Sequence, residues 1–367
     1  MAANMRDITF GTVNLFNLQR PGLPTYPTSR PYTEEQYAAK IAWTAGVLQR
    51  LDADVIAFQE LWSRECLADA FAAAGLAEAY EFAFIMDRAW DGIAVAAAVR
   101  KPWGIKAVKR HKAFPEGFKL KKRKQSMREI QANPSAVDLV QDEQLLPSHE
   151  DDEISVVITE FSRSPLQVTV GHGRARNVPP IEVFCTHLKS KLATRLDSTE
   201  WRNPKIRPHA RALGAAISTI RRTAEAAALR VVLDQVMTGN HAPTVVLGDL
   251  NDGQLTSTLE ILADQPSYRL YADSIAARRN DDGLYTAATL QQLRSLRDVL
   301  YTHDFKGVQE IIDHVMVSEQ FSDHSERRLW TFRELRVWND HIEDPDPASS
   351  DHGVVNACFD WNPAPQR

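Results

Sequence analysis

The chain has 367 residues, 44% of them apolar and 25% charged, which excludes a disordered or fibrous protein and fits a soluble globular one. A net charge of −5 excludes a protein that coats nucleic acid along its whole surface, and no charge-free apolar stretch approaches the roughly 18 residues of a membrane span. Cys66, Cys185 and Cys358 lie far apart without metal-site spacing, and Arg6 and Asp7 interrupt any secretory apolar run, so reduced core cysteines in a cytoplasmic protein are expected.

In chain order, "ITFGTVNLFNL" (8–18) predicts a strand, and a Pro- and Gly-rich loop follows at 21–31. Thr33 caps a helix over 33–51, with acids in its first turn and apolar residues at 37, 41, 44/45 and 48. "ADVIAFQEL" (53–61) predicts a buried strand ending in polar residues, and a short helix then runs to Gly75. Residues 80–86 and 92–99 read as a strand pair around a turn at 90–92, and 104–153, without clear periodicity, as an insertion. Strands are expected at 154–162, 166–171 and 181–191. Apolar positions 213, 217, 220, 224, 227 and 231 make 208–237 one amphipathic helix. A strand at 244–252, a helix near 256–263, a loop-rich stretch, and strands at 307–318 and 349–361 complete the chain. There is no internal repeat and no Walker A, G-x-S-x-G or H-E-x-x-H pattern.

Charge is unevenly spread. Between 101 and 128 eleven Lys or Arg face the single acid Glu116, and seven acids follow between 138 and 153. The first stretch reads as a basic arm for a polyanion, or as one half of a solvated, self-attracting loop. Lys121, Lys122, Arg123 and Lys124 are its densest run, and Trp90, Trp103, Phe114 and Phe118 nearby either stack on bases or simply pack.

"VVLGDLNDG" (245–253) takes a β-branched core run through Gly248 into a turn bearing Asp249, Asn251 and Asp252. Alone it is an ordinary Asx-type turn. The arrangement recurs: Asn14 lies in the first strand, Gln59 and Glu60 end the second, and His187 ends "VFCTH". Asp313 and His314 sit in "IIDHVMV", and Asp351 with His352 opens the last strand. Buried acids and imidazoles are costly unless paired or metal-bound, so convergence on one pocket is expected.

At these motifs the chain resembles the endonuclease/exonuclease/phosphatase superfamily with the deoxyribonuclease I-like fold. The matches are "TVNLFNL", "DVIAFQEL", "VFCTHLKSK", "VVLGDLND", "GVQEIIDHVMVS" and "SSDHGVV", in the family's order, from residue 8 to about 358. The resemblance implies a four-layer α/β sandwich: two packed mixed sheets flanked by helices, with the site at one edge. It therefore implies a single catalytic domain over 1–367, carrying the insertion at 104–153. It further implies that Glu60 is the main ligand of Mg²⁺ or Mn²⁺, with Asn14 beside it and Asp351 in reach. Asp249 matches the acid that orients or deprotonates the attacking water, Asn251 the amide that holds it, and His187 with His352 the pair that stabilises phosphoryl charge. Asp313 matches the acid orienting one imidazole. These roles suit in-line displacement at phosphorus. Two departures stand out: Phe16 occupies a position where many relatives carry an acid, and Gly353 and Val354 follow Asp351–His352 where S-D-H-x-P is common.

An EF-hand-like Ca²⁺ loop over Asp249, Asn251 and Glu260 fails at Gly253 and Gln254. His111, His172, His209, His241, His303, His324 and His341 are isolated, and His314, next to Asp313 on a strand, must face the opposite way. Lys189 and Lys191 past His187, and Arg211 opening the long helix, are weaker candidates for meeting a substrate phosphate. The expectation is a metal-dependent phosphodiester hydrolase, a nuclease on DNA or RNA, with nucleic acid as its partner. The alternatives are hydrolysis of a small-molecule or lipid head-group phosphoester, and a non-catalytic binding protein on the same fold.

Overall fold

A computed structural model describes residues 5–84, 93–122, 154–264, 283–295, 301–343 and 346–365. The chain runs through β1 (Ile8–Leu18), α1 (Glu34–Leu51), β2 (Val55–Leu61) and α2 (Arg64–Ala73). There follow β3 (Tyr80–Phe84), β4 (Ala94–Arg100), β5 (Trp103–Arg110), β6 (Leu120–Lys122), β7 (Ile154–Val156), β8 (Leu166–His172) and β9 (Ile181–His187). Next come α3 (Ser198–Arg202), α4 (Ala210–Met237), β10 (Thr244–Asp249), α5 (Ser257–Ala263), β11 (Tyr285–Thr286) and α6 (Ala287–Arg294). The chain closes with β12 (His303–Phe305), β13 (Val308–Glu310), β14 (Asp313–Val317), β15 (Trp330–Trp338) and β16 (Val354–Trp361).

Two mixed sheets form, in the orders β15-β16-β1-β2-β4-β3 and β11-β14-β10-β9-β8-β5. Strand alternation builds the layers. Val245 and Leu247 face the core between the sheets, with Phe10, Val55, Val183 and Phe359, while Val246 turns outward onto Leu229 and Leu233 of α4. On the other outer face Ile56 and Phe58 pack against Leu48, Leu67 and Phe71 of α1 and α2. The result is the four-layer α/β sandwich expected. Thr33 caps α1 through a capping box with Gln36, as its sequence indicates. Among the described residues no helix is long and apolar enough to cross a membrane.

Several boundaries differ from the sequence reading: β9 ends at His187 and β10 at Asp249, β15 lies where no strand is expected, and four further differences have a physical cause. Residues 103–110, assigned almost wholly to an insertion, form β5, an edge strand pairing antiparallel with β8. Its burial stops after Trp103, and Lys106 and Lys109 are exposed, so the cations of an edge strand masked its period. The strand expected at 154–162 shrinks to Ile154–Val156, because Val157 is 88% exposed and has no sheet to enter. The strand at 307–318 splits into β13 and β14, with Thr302 Oγ1 accepting from the Ile312 and Asp313 amides at the break. The last strand starts at Val354, not 349. Ser350 Oγ donates to Asn14 O and accepts from the His352 amide, so Asp351 and His352 sit in a loop pinned onto β1.

Candidate active site

Strand direction brings the polar ends together. β1 and β2 are parallel, with Asn14 opposite Gln59, and β9 and β10 are parallel, with His187 opposite Asp249. Asp249 also stands opposite Asp313 across the antiparallel β10–β14 pair. One edge of the sandwich therefore holds the carboxyl ends of four strands and the start of a fifth, and both sheets contribute.

At its centre Asp249 is buried. Its Oδ1 accepts the Asn251 amide at 2.8 Å, the Asx turn of the bland reading, while its Oδ2 faces inward. That oxygen lies 3.3 Å from Asn14 Nδ2, 3.4 Å from His187 Nε2 and 3.9 Å from His352 Nε2. Burial pushes the Asp249 carboxyl up to about 7, with Asp313 and Glu60 adding to the rise and His352 opposing it. The two imidazoles diverge. Burial, then the positive charges of Arg163, His352 and Lys189, hold His187 well below the usual histidine range. Burial also works against a charged His352, but the Asp313 and Asp249 carboxylates and the Asp313 hydrogen bond outweigh it and hold His352 well above. The bond runs from His352 Nδ1 to Asp313 Oδ2 at 2.9 Å, leaving Nε2 directed at the site.

Glu60 and Asn14 occupy the other half. Glu60 has φ 58°, and Phe16 and Asn17 beside it have φ 46° and 59°, at the point where β1–β2 pairing shifts register. Such backbone strain in a non-glycine residue costs about 1–3 kcal/mol and gathers at functional sites. The Glu60 carboxylate accepts the Asn17 amide at 3.0 Å. Burial raises its pKa and the negative charge of Asp351 raises it further. The Glu60 and Asp351 carboxylates repel one another, while the Asn14 side chain turns Nδ2 toward Asp249 and its oxygen accepts the Phe16 amide at 2.9 Å. Carboxylate oxygens of this kind suit a small hard divalent cation better than a thiophilic one. Asp249, Asp313 and His352 form a second group of possible ligands, fully buried.

The weaker candidates fare unevenly. Asn251 holds the Leu188 carbonyl through Nδ2 at 3.1 Å. Lys191 is engaged by Glu310 at 2.7 Å, and Lys189 Nζ bonds Ser190 Oγ at 3.3 Å. Arg211 is exposed on the first turn of α4. Lys121 is exposed and Lys122 lies in β6, whereas Arg123 and Lys124 fall outside the described residues. The aromatic candidates pack instead of waiting for bases: Trp103 is buried against His172, and Phe114 meets Phe118 and Phe161. Trp90 lies outside the described residues. Asp252 proves to be a clamp, bonded by Arg222 Nε at 3.1 Å and Thr258 Oγ1 at 2.7 Å. His314 faces away and bonds Asp252 O.

Three neighbours carried no sequence signal. Arg163 donates to Leu188 O at 3.0 Å and its buried Nε has no partner. Lys40, on α1, is buried and bonds Ser349 O at 3.3 Å; burial brings its pKa down to about 8 while Asp351 and Glu60 pull it up. His303, expected to be isolated, is not: its strand bridges to His352, and their rings stand 5.1 Å apart. Only the fold, which juxtaposes residues far apart in sequence, reveals these three.

No protein-family model and no curated protein matches the sequence. Solved structures do. Humanized D. rerio TDP2 carrying 14 mutations is 15% identical, with 96% of this chain and 99% of that one covered, at a TM-score of 0.52. An endonuclease/exonuclease/phosphatase family protein from Bacteroides thetaiotaomicron is 13% identical over 97% and 95% of the two chains, with a TM-score of 0.52. The human Nocturnin catalytic domain with bound sulfate is 11% identical over 97% and 95%, with a TM-score of 0.51. The two mixed sheets and their flanking helices are thus the deoxyribonuclease I-like sandwich of the endonuclease/exonuclease/phosphatase proteins. At such identities the likeness establishes the fold, and the chemistry rests on the residues.

Proposed function

We propose that this chain is a divalent-metal-dependent phosphodiester hydrolase acting on nucleic acid, DNA or RNA, through in-line attack of an activated water. One observation carries the reading: a buried carboxyl poised near neutrality, Asp249, lies within 3.9 Å of an imidazole that Asp313 keeps charged. A base should have its pKa near the working pH, and Asp249 meets that condition. In this reading Asp249 takes the proton of the attacking water while Asn14 and Asn251 fix its position. His352, charged and aimed by Asp313, donates through Nε2 to a phosphoryl oxygen as negative charge grows there, and neutral His187 adds a second donor. Glu60, Asn14 and Asp351 hold the ion. Mg²⁺ or Mn²⁺ bound there supplies Lewis-acid polarisation of a non-bridging oxygen.

Nucleic acid is favoured by the course of the basic segment. β5 is antiparallel to β8, which is antiparallel to β9, so β5 ends at the same edge as His187. Arg110 aligns with Leu166, which aligns with Cys185; two strand spacings are about 10 Å. The chain that carries Lys112, Lys119 and Lys121 therefore leaves the sheet at that same edge. The buried, unbridged cysteines fit the cytoplasmic placement that belongs to this reading.

The test is purified protein, freed of metal and then given Mg²⁺ or Mn²⁺, offered single- and double-stranded DNA, RNA, a dinucleotide ester and sphingomyelin. Metal-dependent cleavage of a nucleic acid is expected. Turnover of the lipid or small ester alone would move the substrate class, and no turnover with either ion would overturn the reading.

A further inference from the structure

We propose that His303, Asp351 and His352 form a second metal site, selective for a transition ion such as Zn²⁺, whose occupation switches the catalytic centre off. One ligand atom of each residue lies within 4.8 Å of the other two. The main chain fixes the pair of histidines: β12 bridges to His352, and the Gly353 amide donates to Thr302 O. A Cβ on Gly353 would come within 3.2 Å of Thr302 Cα, so the missing side chain allows this approach.

The donors are preorganised for a borderline ion. Asp313 bonds His352 Nδ1, which leaves Nε2 as the ligand atom in the carboxylate–histidine–metal arrangement common at zinc sites. Neither ring nitrogen of His303 has a hydrogen-bond partner among the described residues. Two imidazoles and one carboxylate with an open fourth position suit Zn²⁺, whereas Mg²⁺ prefers oxygen and ideal octahedra. Zinc bonds of about 2.0–2.1 Å place donors roughly 3.4 Å apart. The site must therefore tighten by about an ångström or so, and Asp351, its side chain 50% exposed, is free to move.

Inhibition follows from which atoms are used. His352 Nε2, once coordinated, carries no proton to give a phosphoryl oxygen, and Asp351 is drawn away from the ion held at Glu60. The inhibitory consequence rests on the hydrolase reading, but the site itself does not.

Metal-free full-length chain is titrated with Co²⁺ in millimolar Mg²⁺, and Zn²⁺ is then used to displace it. One equivalent with the intense visible bands of four-coordinate Co²⁺ is expected. His303→Ala and His303→Asn, checked for unchanged melting, should weaken binding by roughly tenfold or more. Glu60→Gln should leave it intact. Weak octahedral bands, unchanged affinity in both His303 variants, or loss of the signal in Glu60→Gln would overturn the site. On bis(p-nitrophenyl) phosphate with Mg²⁺, stoichiometric Zn²⁺ should silence the wild type, while His303→Ala keeps its Mg²⁺ rate and resists zinc about tenfold better. If no phosphodiester is turned over, the hydrolase reading fails and the cobalt spectrum still decides the site.

Discussion

Replacing Asp249 with Asn should stabilise the protein and disable it at once. Burial moves the Asp249 carboxyl from its ordinary 3.8 to about 7. A folded pKa above the unfolded one means that the contribution to stability is fully present at low pH and is lost as pH rises through about 7. One pKa unit is ~1.4 kcal/mol, so above neutrality the buried charge withdraws at most ~4 kcal/mol. Asn keeps the shape and the bond to the Asn251 amide without that charge. His352 loses one of its two raising carboxylates, which offsets part of the gain, so a rise of a few degrees in Tm at mildly alkaline pH is expected. Activity moves the other way, and kcat should fall by about 10²–10⁴, the range for a lost general base. Wild-type kcat should rise with pH through about 7 to a plateau that ends only where His352 loses its proton, and the variant should lack the acid limb. The limb is read at two metal concentrations, because an ion at Glu60 draws the midpoint to lower pH. An Asn variant that turns over at the wild-type rate with chemistry rate-limiting, or keeps the acid limb in place, would refute the assignment of the base.

Four further outcomes are expected. Glu60→Gln should need at least about tenfold more Mg²⁺ for half-maximal rate, read by titrating metal into chelator-treated enzyme. Asp313→Asn removes the largest charge that keeps His352 protonated, so the alkaline fall in kcat should move to lower pH; an unmoved alkaline limb would argue against His352 acting as the charged donor. Replacing Lys121, Lys122, Arg123 and Lys124 with Ser should raise KM for nucleic acid and flatten its salt dependence, and equal salt slopes would remove the arm from binding. Arg222→Ala removes the buried cation of Asp252 but leaves it Thr258 Oγ1 and the more exposed Lys191, and should cost about 1.5–3 kcal/mol in urea unfolding, whereas a surface pair would cost under about 1.

The fold was legible where local chemistry and burial agree. α1 has its capping box and apolar stripe, and β10 its unbroken Val-Val-Leu run, so both emerge as expected. Asn14, His187, Asp249, Asp313 and His352 could be paired in advance because acids and imidazoles at buried strand ends have few uses. β5 was missed because an edge strand need not hide its cations, and two-thirds of β7's expected length had no partner strand to define it. Arg163, Lys40 and His303 were missed for a different reason. Each is an ordinary residue in an ordinary local setting, and its neighbours at the site come from elements 24 or more positions away.

The turn at 245–253 shows why a bland reading and a functional one need not compete. Gly248 has φ 139°, and a Cβ there would sit 2.0 Å from Thr186 O, so β10 can lie this close to β9 just before the turn only with glycine in place. That turn sends one Asp249 oxygen to the Asn251 amide and leaves the other for the pocket. A carboxylate held by its own turn has little rotamer freedom left to lose, which is the preorganisation that the proposed base would need. The two halves of the site belong to different sheets, Glu60 and Asn14 to one and Asp249 and Asp313 to the other. Their spacing is therefore set by the packing of Phe10, Val55, Val183 and Leu247 between the sheets. A cavity made in that core, far from any reacting atom, should consequently weaken the Asn14–Asp249 contact and lower kcat before it unfolds the chain.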